Sequence, residues 1–227
     1  MHFLVTGANR GLGLEFTKQL LEAGHQVIAT SRNPSEASDL RALESASLRL
    51  MALDISKPES VDAFAKALND EAIDVLINNA GHYSRVSVGF DHLNFDGVLH
   101  DFAVNGIGTL RVTQALLPNL RRGNAKKIAN ISSKMGSITD NTSGGSYAYR
   151  MSKAAVNMAT RSLANDLRSE GFTVLTFHPG WVQTDMGGPN ALIEPPESIA
   201  GMLKVVDNAG LEQSGRFWDY RGQELPW

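Results

Sequence analysis

Residues 6–13 read Thr-Gly-Ala-Asn-Arg-Gly-Leu-Gly, between an apolar β-rich run, Phe3 to Thr6, and a helical pattern, Leu12 to Ala23. Glycines packed into so short a strand-to-helix connection imply close approaches. Gly7 permits a tight turn, Gly11 lets the backbone come near a bound group, and Gly13 lets the helix lie close on the strand. The start of the helix leaves free N–H groups and the positive end of a dipole, which suit an anion such as a pyrophosphate. The spacing G-x-x-x-G-x-G differs from the G-x-G-x-x-G dinucleotide pattern. A turn chosen only for its geometry would carry the same glycines.

Beyond this turn, short apolar runs alternate with longer helical patterns. The strands are expected at Phe3–Thr6, Gln26–Thr30, Leu48–Leu53, Asp74–Asn78, Lys127–Ser132 and Thr173–His178. Amphipathic stretches include Leu12–Ala23, Glu59–Asn69 and Tyr149–Ser169. Such alternation predicts an α/β fold: one Rossmann-type, doubly wound parallel sheet with helices on both faces. No repeat or linker divides the 227 residues, so a single domain is expected over 1–227. After Trp181 glycine and proline become frequent. This predicts a loop-and-helix excursion over about 181–210, then a last strand near Arg216 to Trp218. In open α/β sheets, ligands bind beyond the carboxyl ends of the strands.

Several classes are set aside. A net charge of -3 without a Lys/Arg block gives no reason to expect a nucleic-acid partner. Apolar runs fall short of the roughly 20 residues of a membrane span, so no membrane partner is expected. Met1 to Val5 enter a strand without a signal pattern, and the expected location is cytoplasmic. With no cysteine, disulfides, thiolate zinc and thiol catalysis are excluded, and no metal site is expected.

The second strand ends Ala29-Thr30-Ser31-Arg32-Asn33. A ribose 2′-OH reader would be an Asp or Glu about 20 residues after the first glycine. Ser31 and Arg32 stand there instead, and Arg10 lies in the glycine turn. Two cations and no carboxylate favour NADP(H) over NAD(H). Asp54, followed by Ile55, either accepts from an adenine amino group or caps the helix near Pro58, although Ser56 is better placed to cap. Asn78-Asn79-Ala80-Gly81, after the fourth strand, suits a backbone wall beside a ribose, but Asn-rich turns are common.

Tyr149 and Lys153 are four apart in a helical pattern, which puts phenol and ammonium on one face. The ammonium is expected to lower the phenol's pKa and let it trade a proton with a carbonyl or alcohol. A wet surface pair would have the same spacing. Ser133 ends a strand and could bond the same substrate oxygen. His178, ahead of Pro179-Gly180, reads as structural because no acidic partner is evident. His82, Tyr83, Met135, Trp181 and Met186 are candidates for an apolar pocket, or for core packing.

Taken in order, TGxxxGxG (Thr6–Gly13), NNAG (Asn78–Gly81), a helix bearing Asn105, Ser132-Ser133, YxxxK (Tyr149–Lys153) and Pro179-Gly180 resemble the short-chain dehydrogenase/reductase family over nearly the whole chain. More narrowly, NISSKMGSI, GGSYAYRMSKAA, HPGWVQTDMGG and the Leu225-Pro226-Trp227 ending look like the C-factor/sniffer-type carbonyl reductases. The resemblance implies an NADP(H)-dependent oxidoreductase acting on a small-molecule carbonyl or alcohol. Tyr149 would be the acid/base, and Lys153 would tune it and hold the nicotinamide ribose. Ser133 would orient the carbonyl, and Asn105 would hold a water in a relay through Lys153. Gly7, Asn9, Arg10, Gly11, Leu12 and Gly13 would bind the phosphates, with Ser31, Arg32, Asp54 and Ile55 toward the adenosine. Asn79, Ala80, Gly81, Pro179, Gly180, Val182 and Thr184 would line the rest. In the family's commonest spacing the serine lies thirteen before the tyrosine, which here is Gly136. Ser133 fits if residues are inserted near Gly144-Gly145, and Ser132 and Ser137 remain alternatives. Tyr147 is excluded because it lies six before Lys153. A homodimer or homotetramer is expected through the Tyr149 helix, whose apolar face carries Ala155, Met158, Ala159 and Leu163. The rival reading is a non-catalytic NADP(H)-binding signalling protein on the same fold.

Overall fold

The strands form one seven-stranded, all-parallel sheet in the order β3-β2-β1-β4-β5-β6-β7. They are β1 (His2–Val5), β2 (Gln26–Ser31), β3 (Leu48–Ala52), β4 (Val75–Asn78), β5 (Lys127–Ile131), β6 (Thr173–His178) and β7 (Phe217–Asp219). The structure, a computed structural model, describes residues 1–43, 45–85 and 89–227. The helices are α1 (Gly11–Glu22), α2 (Ser38–Arg41), α3 (Pro58–Leu68), α4 (Phe95–Asp101), α5 (Thr109–Arg122), α6 (Tyr147–Asp166) and α7 (Pro195–Asn208). A π-helical stretch, Phe102–Gly108, joins α4 to α5.

Both faces of the sheet are covered, which explains why the central strands read as unbroken apolar runs. Side chains alternate along a strand. Phe3, Val5, Val27, Ala29, Val75 and Ile77 meet Phe16 and Leu20 of α1 and Ile199, Met202 and Val206 of α7. Leu4, Ile28 and Leu76 point the other way, toward Val61, Phe64 and Leu68 of α3 and Val112, Leu116 and Leu120 of α5. Each fully buried Phe or Leu among them contributes about 1.5–3 kcal/mol.

The order places β1 beside β4, where the winding reverses, so a crevice opens at their carboxyl ends. The strands lie within a residue or so of their expected positions. The range 181–210 runs as a loop and then a helix. Its second half is α7, buried on the α1 side, and Pro195-Pro196 occupy the first turn of that helix. Proline is tolerated there because a first-turn N–H has no partner within the helix. Among the described residues no helix is long and apolar enough to cross a membrane.

Candidate active site

The crevice is narrow at its phosphate end because backbones touch there. Gly7 has φ +66°, and a Cβ on it would lie 2.8 Å from Ala80 Cα. On Gly13 it would lie 2.2 Å from the Gly7 carbonyl oxygen. Asn79 stitches the two loops together, its Nδ2 donating to Thr6 O (2.9 Å) and Gly7 O (3.0 Å). The Ala80 N–H donates to Thr6 Oγ1 (3.0 Å). Arg10 is the N-cap of α1 but gives it no side-chain cap. The first-turn N–H groups are thus free of such a cap, as an anion site requires. The Arg10 guanidinium, exposed like its partner, donates to Asp185 (2.7 Å). Asn9 is exposed, and Leu12 packs against the core. A Cβ on Gly11 would lie 3.4 Å from the Thr184 methyl, which brings the 181–188 loop to the turn.

At the β2 end, Ser31 is buried and its Oγ has no hydrogen-bond partner among the described residues. Arg32 beside it is exposed. Asp54 accepts from Ser56 N (3.0 Å) and Ser56 Oγ (2.6 Å). Burial pushes its pKa up, but these bonds and the Arg32 and Lys57 charges outweigh burial and hold it below the usual value. Asp54 therefore closes a turn and does not cap α3, whose N-cap is Lys57. Ile55 is buried against Gly108, and its carbonyl accepts from Arg111 (2.9 Å). The glycine cradle, the uncapped helix and Ser31-Arg32 without a carboxylate fit a dinucleotide with a 2′-phosphate.

At the chemical end, α6 carries Tyr149 and Lys153, both buried. The pair is not a surface pair. Lys153 Nζ lies 5.6 Å from the Tyr149 ring centre and donates to Ile131 O (2.8 Å). Burial pulls the lysine's pKa down to about 8, against the opposing charge of Asp101. Burial drives the Tyr149 pKa well above its ordinary value, and the hydrogen bond from Ser133 offsets this only in part. One N–H of the ammonium is used on the Ile131 carbonyl, which leaves two for other acceptors.

Ser133 is the serine placed at Tyr149. Ser132 Oγ turns to Asn157 (2.6 Å), and Ser137 Oγ donates to Trp227 O (2.9 Å). Gly144, Gly145 and Ser146, just before α6, are all at positive φ. Asn105 lies within the π-helical stretch, and both ends of its carboxamide are hydrogen-bonded. Oδ1 accepts from His82 N (2.8 Å), and Nδ2 donates to His82 O (2.8 Å) and Ser152 Oγ (2.8 Å). A Cβ on Gly81 would lie 3.2 Å from Asn105 Oδ1 and 3.4 Å from Lys153 Nζ, so the NNAG segment faces the reacting pair.

Sequence reasoning missed Asp101. It is fully buried and accepts from His82 Nδ1 (2.7 Å). No local pattern marks it, because its partner His82 lies 19 residues away in the sequence. Tyr83 lies against Tyr149, 4.7 Å between ring centres, and its hydroxyl is 3.1 Å from Ser146 Oγ. Pro179 O accepts from Ser198 (2.6 Å), and Gly180 at φ +86° lies where a Cβ would strike Ile193 at 2.2 Å. Val182 is buried, while Trp181 and Met186 are exposed and Met135 is half-buried. His178 is largely buried with Nδ1 unpartnered among the described residues, and burial lowers its pKa to about 4.

Comparison with known proteins agrees with this geometry. The family model described as short chain dehydrogenase matches residues 1–192. The C-signal of Myxococcus xanthus is 52% identical over 165 residues, 73% of this chain and 99% of that protein. Among solved structures, the carbonyl reductase Sniffer of D. melanogaster superposes with a TM-score of 0.93 at 32% identity, covering 100% of this chain and 99% of that one. The NADPH-bound carbonyl reductase from chicken fatty liver gives 0.93 at 36% identity, covering 100% and 98%.

Proposed function

Because the chain belongs to the short-chain dehydrogenase family, we propose that it is an NADPH-dependent carbonyl reductase acting on small aldehydes or ketones in the cytoplasm. The observation that carries this reading is the buried Ser133–Tyr149–Lys153 cluster at the mouth of the glycine cradle. The chemistry a bound nicotinamide supplies there is hydride transfer to the carbonyl carbon. Tyr149 Oη gives its proton to the carbonyl oxygen, and the raised pKa keeps that phenol protonated, the state reduction needs. Ser133 Oγ donates to the same oxygen, and oriented donors of this kind stabilise the developing alkoxide. Lys153, one turn along α6 with Nζ 5.6 Å from the Tyr149 ring centre, would hold the nicotinamide ribose beside the phenol. Asn105 acts as a strut, holding His82 to Ser152. Gly7, Gly11 and Gly13 would hold the phosphates, with Arg10 and Arg32 placed toward the 2′-phosphate.

NADPH oxidation followed with a panel of aldehydes and ketones tests the reading. Saturable, carbonyl-dependent turnover is expected, and tight NADPH binding without turnover would favour the non-catalytic signalling protein. That rival gives no reason to bury Tyr149 and Lys153 together beside Ser133. A second copy of this chain is the expected partner, as homodimer or homotetramer. Phe95, Leu99, Ile107, Leu110, Met151 and Met158 are exposed on the α4–α5 stretch and α6, which supports a helical interface. Light scattering showing only a 24.5 kDa species at micromolar concentration would contradict it.

A further inference from the structure

A carboxylate with no exposed surface costs free energy unless its partners retain it, so a buried acid near a reaction site calls for a reason. Asp101, at the end of α4, is such a group, with 0% exposure. It accepts from His82 Nδ1 (2.7 Å) and from Ser84 N (3.1 and 3.2 Å to its two oxygens). One turn further, Asn105 grips the backbone of the same His82 through both its N–H and its carbonyl. Two residues of one helical stretch thus hold His82 and Ser84 of segment 81–84. Held this way, Tyr83 lies against the Tyr149 ring and Gly81 faces Lys153 Nζ.

We propose that Asp101 is a positioning residue for the reaction: clasped by His82 and Ser84, it fixes segment 81–84 over Tyr149 and stations a negative charge beside the Tyr149–Lys153 pair. The proposal deepens the reductase reading and rests on it. The titratable groups around Asp101 are His82 and Tyr83 from the segment, His100 from its own helix with its ring 4.5 Å from that of His82, and Tyr149 and Lys153 from α6. Its charge raises the pKa of both Tyr149 and Lys153. Each effect favours the protonated form, the one that delivers protons in reduction. On Lys153 it opposes the burial that otherwise strips the proton from the amine.

Asp101→Asn keeps the shape and an acceptor while removing the charge, and Asp101→Glu keeps the charge but displaces it. In Asp101→Asn, turnover should fall about tenfold with NADPH affinity near wild type. The basic limb of kcat/KM should move to lower pH by about half a unit or more. The Lys153 Cε resonance, assigned by its loss in Lys153→Met, should titrate near 8 in the wild type and lower in Asp101→Asn. Asp101→Glu should lose turnover with its basic limb in place, because the charge survives and the clasp does not. A folded Asp101→Asn with wild-type limb and Lys153 midpoint would overturn the proposal, whatever its turnover. Should Asp101→Asn fail to fold, wild-type turnover in Asp101→Glu would overturn it, and lost turnover with an unmoved limb would support it. If the wild type reduces no carbonyl, the reductase reading fails, while the Lys153 midpoint still decides the role of Asp101.

Discussion

At the phosphate end of the crevice the chain works through its backbone, and at the chemical end through side chains. Gly7, Gly13 and Ala80 are in contact main chain to main chain, so what matters there is the absence of a Cβ. Around Tyr149 and Lys153 the polar atoms are themselves buried, and burial sets their chemistry. The first region should therefore fail sterically and abruptly when altered. The second should fail electrostatically, with effects that depend on pH.

The largest expected effect is steric. In Gly13→Ala the new methyl would stand 2.2 Å from the Gly7 carbonyl oxygen, a backbone atom that cannot give way cheaply. NADPH affinity should drop about 100-fold or more, with about 1–3 kcal/mol of stability lost to overpacking. Calorimetric titration and a thermal melt measure the two. A near-wild-type Kd would break the contrast between the halves.

The chemical end predicts an effect that follows pH. His178, buried and neutral, takes a proton only near pH 4, whereas the unfolded chain takes it near 6.5. Acid therefore favours the unfolded state. The stability this group contributes is complete above about 6.5 and is lost as pH falls toward 4, on the order of 3 kcal/mol in all. Urea unfolding at pH 7 and pH 5 should show a steeper loss in the wild type than in His178→Gln. Parallel losses in the two proteins would remove burial of His178 as the cause.

The smallest effect concerns cofactor choice. One charge-assisted contact from Arg32 is worth about 1.5–3 kcal/mol, or roughly a ten- to hundredfold preference for NADPH over NADH. Arg32→Ala should erase most of that preference, whereas Gly13→Ala should weaken both cofactors alike. Equal dissociation constants for the two cofactors in the wild type would contradict it.

The two ends were not equally legible in the sequence. The glycine turn is local and steric, so its spacing and flanking patterns carry its meaning within residues 3–23. Tyr149 and Lys153 also share one helix, and i,i+4 spacing places them on one face. The partners of that pair come from distant segments. Asp101 meets His82 across 19 residues, and no local pattern says which acid will be buried. The helical stretch carrying Asn105 was hard to place for another reason. Its π-helical turn shifts the phase of the side chains, and Phe95, Leu99, Ile107 and Leu110 are apolar yet exposed. Neither the apolar period nor a polar face survives to mark it. The phenol's raised pKa follows from its burial, which i,i+4 spacing does not show.

The most direct test of the account is the pre-steady-state rate of carbonyl reduction by Tyr149→Phe beside its NADPH dissociation constant. The variant keeps the ring, its packing against Tyr83 and the glycine cradle, and loses only the hydroxyl. The account predicts an unchanged dissociation constant and a chemical step slowed by about 100-fold or more, the usual scale for removing a positioned acid. A chemical step retaining more than about a tenth of the wild-type rate would show that the proton comes from elsewhere.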